Sequence, residues 1–243
     1  MPAFPALDAI GQFRSDDELA DGCAIYAVGN VGEFTNLANG VPPVKSGTGA
    51  GLANVAGPHG SAFSTNGTAN GSLMFGTAND FKTGTDDFTL AAFLKQGSLI
   101  NALPIMISDH IELLIGGGST VGAAAYRFAG GAGGSTNTIT GLDDGEYHLY
   151  LYSRLNGVQR VWSDHQLRQE GAVANPSLNG TSGLAIGRRG GVGTYYALPG
   201  VSMIGYWKRG ISEDEARRLA TDPFLLARPR RRIYPSGAAP TNH

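Results

Sequence analysis

One cysteine in 243 residues, Cys23, excludes an intramolecular disulfide and any cysteine-based zinc cluster. Packing alone has to hold the fold. Charge is scarce as well: 16% of residues are Asp, Glu, Lys or Arg, against about 25% in an average chain. The net charge of −2 is too near neutral to point to a nucleic-acid partner. No stretch approaches the roughly 18 consecutive apolar residues of a membrane span. Met1-Pro2-Ala3-Phe4-Pro5-Ala6-Leu7-Asp8 lacks the basic segment and apolar run of a signal peptide, so the expectation is folding in a cytoplasm, away from membranes. What the sequence has in plenty is glycine. Its 37 Gly are roughly twice the usual share of about 7% and imply many tight turns. A hydrophobic content of 42%, with 10 Phe, 9 Tyr and 2 Trp, excludes a disordered chain. The length suits one large β domain with an ample core.

Charge is unevenly spread. Residues 1–33 carry Asp8, Asp16, Asp17, Glu18, Asp21 and Glu33 against Arg14 alone, whereas Lys208, Arg209, Arg217, Arg218, Arg228, Arg230, Arg231 and Arg232 crowd the end of the chain. The expectation is that the two ends are solvated or complement each other between neighbouring subunits.

From Phe88 onward the sequence falls into short apolar runs separated by Gly, Asn and Asp, which are strand lengths with turn punctuation. Tyr147 to Arg154 alternates, with Tyr147, Leu149 and Leu151 on one face and His148, Tyr150 and Tyr152 on the other. Aromatic residues on both faces predict a strand covered on each side. Asn156-Gly157 predicts a two-residue hairpin turn into Val158–Ser163. Further strands are expected at Gly183–Arg188 and Val201–Lys208. Ser212-Glu213-Asp214-Glu215 reads as a capping box opening a short helix, and Asp222-Pro223 as its stop. Ten or more strands and one helix make a two-sheet antiparallel β-sandwich.

The order of these segments resembles the concanavalin A-like lectin/glucanase superfamily in its laminin-G-like (LamG) form. Asp87 to Lys95 is similar to that family's "gdfTisaWvk" strand, with Phe93 where Trp is usual. Asp144 to Tyr150 is similar to "dgkWHhva", with Tyr147 for Trp, and Trp162 to Leu167 to the "vyvDGkl" hairpin, with His165 for Gly. Leu184 to Gly187 resembles "lyiG", and Val201 to Leu219 resembles "idevriYnRaLSeaEiaaL". Asp222 to Pro235 is similar to the "nPwqlfaPrrrr" ending of LamG-like proteins of tailed bacteriophages. The resemblance implies a jelly-roll sandwich over residues 34–221, flanked by an N-terminal arm or edge segment, 1–33, and a basic C-terminal arm, 222–243. It also implies a virion protein folded in the host cytoplasm: a capsid decoration or cement protein, oligomeric, with major capsid or tail proteins as partners. The alternative is a tail or fibre adhesin that binds host glycans.

Chemistry that would make an enzyme is not legible. The Glu-x-Asp-x-x-Glu strand of the superfamily's glucanases does not occur in the sequence, and no catalytic residue is assigned. His59, His110, His148, His165 and His243 have no metal-ligand spacing. Asp109-His110 and Asp164-His165 put their carboxylates on the opposite strand face from the imidazole. Asn79-Asp80, Asp86-Asp87 and Asp143-Asp144 are oxygen-rich, so a weak rim site for Ca²⁺ stands beside the plainer reading of turn-forming residues. Trp162 and Trp207 are expected in the core, and Tyr195-Tyr196, in a Gly-flanked loop, as glycan contacts. Subunit contacts are assigned to Arg228, Arg230, Arg231, Arg232, Ile233 and Tyr234 at one end and to Asp16, Asp17 and Glu18 at the other.

Overall fold

The computed structural model describes residues 13–30, 33–47, 53–58, 60–64, 71–81, 84–95, 102–107, 111–115, 124–128, 137–139, 141–142, 144–172, 182–187 and 200–227. Two sheets hold the described strands, and every described pairing is antiparallel. The larger runs, in spatial order, β14 (Gln166–Ala172), β13 (Val158–Ser163), β12 (Tyr147–Leu155), β7 (Phe88–Lys95), β16 (Gly200–Trp207), β1 (Cys23–Asn30) and β2 (Glu33–Asn36). A hairpin of β4 (Ala53–Gly57) and β5 (Gly60–Ser64) joins it through β16. The smaller sheet runs β11 (Asn137–Ile139), β10 (Ala124–Phe128), β9 (Ile111–Ile115), β8 (Ala102–Ile107), β15 (Leu184–Ile186), β6 (Gly71–Phe75) and β3 (Val44–Gly47). One α-helix, α1 (Glu213–Thr221), follows β16. Among the described residues no helix is long and apolar enough to cross a membrane.

The hairpin signal holds in detail. Asn156 and Gly157 take φ of 53° and 72°, the left-handed pair whose twist matches that of the flanking strands. β12 therefore folds back on β13 in the register Leu155↔Val158 through Tyr150↔Ser163.

Two cores explain the shortage of charge. Leu90, Ala92 and Leu94 of β7, Tyr150 and Tyr152 of β12 and Ile204 and Tyr206 of β16 fill the space between the sheets with Phe75, Leu184 and Ile186. The opposite faces of the same strands carry Ala91, Phe93, Leu149, Leu151, Met203 and Trp207, which are buried too. They lie under a third layer made by Leu19, Ile211, Ala216, Leu219, Phe224 and Leu226. With both faces covered, β7 and β16 become almost unbroken apolar runs.

Polar groups inside this layer are satisfied by specific partners. The Trp207 indole donates to the Leu19 carbonyl at 2.7 Å, and the Tyr26 hydroxyl to the Pro223 carbonyl at 2.5 Å. Thr89 Oγ1 donates to the Arg209 carbonyl at 2.9 Å and accepts from the Ile211 amide at 3.0 Å. Its single hydrogen is then spent, so Ser153 donates in their 3.0 Å contact. Ser212 and Glu215 form the reciprocal capping box at 3.2 and 2.8 Å.

The ends of the chain are placed differently from the sequence expectation. β1 is flanked on both sides, by β16 and β2, so residues 23–30 belong to the sheet interior rather than to an arm. Phe224, Leu226 and Ala227 are fully buried, so the sandwich extends past residue 222. Asp17 and Glu18, assigned to subunit contacts, pair within the chain: Arg218 reaches Asp17 at 2.8 Å and Glu18 at 2.5 Å, and Asp17 is only 6% exposed at its side chain. Asp16 lies 4.0 Å from Arg14. The complementarity of acidic beginning and basic end is thus met inside one molecule for these residues. The C-terminal contact residues, Arg228, Arg230, Arg231, Arg232, Ile233 and Tyr234, lie outside the described residues.

Gly205 is fixed by packing. A Cβ there would sit 2.3 Å from the Trp207 ring, which has a hydrogen-bonded, fully enclosed position. Gly205→Ala gains a few tenths of a kcal/mol or more in unfolded-state entropy but overpacks a rigid ring, which typically costs 1–3 kcal/mol. The expected outcome is net destabilisation of about 1–2 kcal/mol, read as a lower urea midpoint with an unchanged slope; equal or greater stability would show that the indole is not held over Gly205.

Candidate functional site

Where the start of β1 meets the end of β6, the segments that follow β2 and β16 leave a cavity of about 470 Å³. This is within the roughly 300–1,000 Å³ usual for small-ligand sites. Phe75 and Phe81 contribute to its apolar wall, and Val41, 56% exposed, stands at its border. Asn36, Asn39, Thr77, Asp80 and Lys208 supply the polar groups.

Each polar group is set by local structure. Asn36 is consumed by the fold, its Oδ1 accepting from the Tyr26 and Ala38 amides at 3.0 and 3.2 Å. It donates to Asn39 Oδ1 at 2.7 Å, which also accepts from the Val41 amide at 2.9 Å. That fixes the Asn39 side chain and leaves its two amide hydrogens without a described acceptor. Asp80 lies in a short 3₁₀ turn, Ala78–Phe81. Its Oδ2 accepts from the Thr77 amide at 2.7 Å and hydroxyl at 2.9 Å. These bonds hold the carboxyl below the usual carboxylate range and leave Oδ1 uncommitted among the described residues. Gly76 makes the turn with φ of 60°, and a Cβ on it would come within 2.8 Å of Asp80 Oδ2. The Lys208 ammonium, just past β16, has no hydrogen bond or ion pair among the described residues. Cys23 also lines the cavity. Burial pushes its thiol up to about 12, so it is a neutral, unreactive wall at ordinary pH.

A second polar cluster forms at the opposite end of the larger sheet. His148 Nδ1 lies 2.8 Å from Asp164 Oδ2 and its Nε2 lies 2.9 Å from Asp144 Oδ1. Asp164 Oδ1 accepts from the Leu149 amide at 2.9 Å, so one carboxylate ties the β13–β14 turn to β12. Asp164 adopts φ of 51° in that turn. The Asp164 hydrogen bond raises the His148 pKa to about 9, with Asp144 assisting against the opposing effect of burial. Both ring nitrogens then carry protons and donate, which is a clamp rather than a base.

The residues proposed from sequence are placed as follows. Asp164 is paired with His148, not with adjacent His165, which is exposed. Asp87 accepts the Asn156 amide at 2.9 and 3.1 Å, and Asp144 the Glu146 amide at 2.8 Å. The oxygen-rich turns that suggested Ca²⁺ are therefore bonded to their own chain where they are described. Among the described residues no group of three or more His, Cys, Asp or Glu could hold a metal ion. Trp162 and Trp207 are buried. Tyr195, Tyr196 and Asp143 lie outside the described residues. The cavity itself was missed, although Asp80 was noted; its lining comes from four separated stretches of chain, and no spacing within one stretch announces it.

No family model matches this sequence, and no curated protein matches it. Solved structures do match its fold. The binding domain of Paraclostridial Mosquitocidal Protein 1 superposes with a TM-score of 0.67 at 11% identity, over 86% of this chain and 54% of that one. Domain 4 of AbnA, a GH43 extracellular arabinanase from Geobacillus stearothermophilus solved in complex with arabinotriose, gives 0.64 at 10% identity, over 82% and 98%. The fold they share is a β-sandwich. A botulinum neurotoxin type C structure, described with the dependence of that toxin's cell entry on interaction with two ganglioside molecules, gives 0.61 at 8% identity, over 84% and 51%. The chain thus spans about half the length of the toxin chains it matches and nearly all of the arabinanase domain. At these identities the likeness is one of fold.

The His148 clamp has a definite pH signature. A folded-state pKa raised from 6.5 to about 9 gives stability that is full below about pH 6.5, declines as pH rises, and is lost above about 9. Hydrogen bonds to charged groups contribute about 1–3 kcal/mol, and screening at exposed Asp144 puts the clamp at the lower end, about 1–2 kcal/mol. His148→Gln should remove this decline between pH 6.5 and 9 in urea unfolding; a variant that keeps the wild-type pH profile would refute the assignment.

Proposed function

We propose that the chain is a non-enzymatic, lectin-like module that binds glycans in the cavity between the ends of the two sheets. The observation that carries this reading is the set of uncommitted polar groups there, the Asn39 amide, Asp80 Oδ1 and the Lys208 ammonium, beside the wall that includes Phe75 and Phe81. A sugar needs that mixture, because each hydroxyl both donates and accepts while the ring carbons present apolar faces. The arabinotriose bound to the AbnA domain and the gangliosides named for the botulinum neurotoxin type C structure support a sugar as the ligand class on this fold, as an analogy. The lack of the glucanase carboxylate motif in the sequence favours binding over hydrolysis.

In its finer form the reading is a tailed-bacteriophage virion protein, folded in the host cytoplasm and mounted on the tail or a fibre as an adhesin for host glycans. Its support is the resemblance of Asp222 to Pro235 to the ending of phage LamG-like proteins. Decoration of the capsid by a homo-oligomer is the second reading, and the Arg228 to Arg232 cluster favours it as a contact with other virion proteins. Purified full-length chain is expected to bind glycans on an array, and quantitative mass spectrometry of particles to find a handful of copies each. Hundreds of copies with no glycan bound would replace the adhesin with the decoration reading.

A further inference from the structure

We infer that the cavity selects neutral sugars with vicinal hydroxyls and discriminates against acidic ones, an inference that rests on the glycan-binding reading above. The polar groups that remain for a ligand differ in kind. Asp80 Oδ1 only accepts, the Asn39 amide hydrogens only donate, and the Lys208 ammonium only donates. Neighbouring hydroxyls on one ring match such a set, since one oxygen can give its hydrogen to the carboxylate while it or the next accepts from the amide or the ammonium. Hydrogen bonds to charged partners are roughly twice as strong as neutral ones, so two of the three contacts are of the stronger kind.

Charge balance decides between neutral and acidic sugars. Among the described residues the cavity lining contains one carboxylate, Asp80, and one cation, Lys208, and they do not close on each other as an ion pair within 4.0 Å. Their charges cancel for a neutral ligand and both remain available to it. Asp80 is held ionised by the Thr77 amide and hydroxyl, so it cannot take up a proton to accommodate a second carboxylate at neutral pH. A sialic or uronic acid must therefore place its own negative charge near a fixed one, and its attraction to Lys208 is offset by that repulsion.

Position is fixed as well as charge. Thr77 holds Asp80, the turn at Gly76 leaves no room for a methyl group beside that carboxylate, and Asn36 with the Val41 amide holds Asn39. Little ordering of Asp80 and Asn39 is left to be done on binding, which raises affinity for a ligand that fits and sharpens rejection of one that does not. The neutral Cys23 thiol and Val41 complete an apolar border for the C–H edges of a ring.

The experiment uses the full chain, with arabinotriose, lactose and the neutral glycans it retains on the array as probes and sialyllactose as the acidic arm. Solution titrations compare wild type with Asp80→Asn and Lys208→Met, and thermal melts check folding; Asn can still accept from Thr77, and Met keeps the Lys208 stem. Neutral probes are expected to bind, to lose affinity after periodate cleavage of their vicinal diols, and to weaken about tenfold or more in each variant. Sialyllactose is expected to bind at least tenfold more weakly than the best neutral probe and to gain in Asp80→Asn. Preference for sialyllactose, or neutral binding that both folded variants retain in full, would overturn the selectivity while leaving glycan binding intact, and loss in Tyr195→Ala with Tyr196→Ala would move the site to that loop. No glycan bound by wild type would overturn the underlying reading together with the inference.

Discussion

The centre of the larger sheet is buried on both faces, and the rest of the molecule is arranged around that fact. β7 and β16 carry apolar side chains upward into the space between the sheets and downward beneath α1. A sandwich of two layers would leave Phe93, Met203 and Trp207 in water, at about 1.5–3 kcal/mol for each large side chain. The chain avoids that cost by returning both of its ends across the outer face. Trp207 shows how tightly this is done: its ring occupies the place a side chain at residue 205 would take, and its indole hydrogen is accepted by Leu19 from the N-terminal segment. Sheet centre, helix layer and N-terminal segment are therefore one cooperative unit.

Electrostatics follows from that topology. The acidic residues 16–21 and the basic residues 209–218 are neighbours because both segments cover the same face. Arg209 bridges to Glu215 at 2.5 and 3.0 Å and also donates to the Asp21 and Glu18 carbonyls at 2.8 and 3.1 Å, while Arg218 takes Asp17 and Glu18. Exposed pairs such as Arg217 with Glu213 contribute little. The partly buried ones fix how α1 and residues 14–22 meet, and the Arg209 guanidinium satisfies backbone carbonyls as well. Lys208, one residue before Arg209, is left out of this network and faces the cavity instead.

Local signals in the sequence translated directly into structure. Asn156-Gly157 needs left-handed φ at both positions and forms the hairpin; Ser212 and Glu215 need only each other and form the cap. Aromatic residues on both sides of β12 announced a sheet covered twice, although not that the ends of the chain supply the cover. Phe224, Leu226 and Ala227 looked like the start of an arm because a run of Pro and Arg follows them, and their burial depends on contacts with residues such as Tyr26, far away in sequence. His148 with Asp164 was within reach of sequence reasoning. The hairpin register places Asp164 opposite Leu149, beside His148, whereas the sequence reading weighed Asp164 only against its chain neighbour, His165, and set that pair aside. The cavity had no comparable handle, since Asn39, Asp80 and Lys208 converge only once both sheets are in place.

That convergence is compatible with a fold shared at only about a tenth identity with its structural neighbours. The sandwich fixes where the ends of β1, β6 and β16 lie, through burial that any adequate set of apolar side chains can supply. The polar groups of the proposed site are a few side chains on the turns just beyond those ends, each anchored by one or two local hydrogen bonds: Asp80 by Thr77, Asn39 by Asn36. The Thr77 anchor is confined to its own turn, whereas Asn36 also accepts from the Tyr26 amide and so ties Asn39 to the sheet. The strands are thus set by burial, whereas the polar groups of the proposed site sit on the turns.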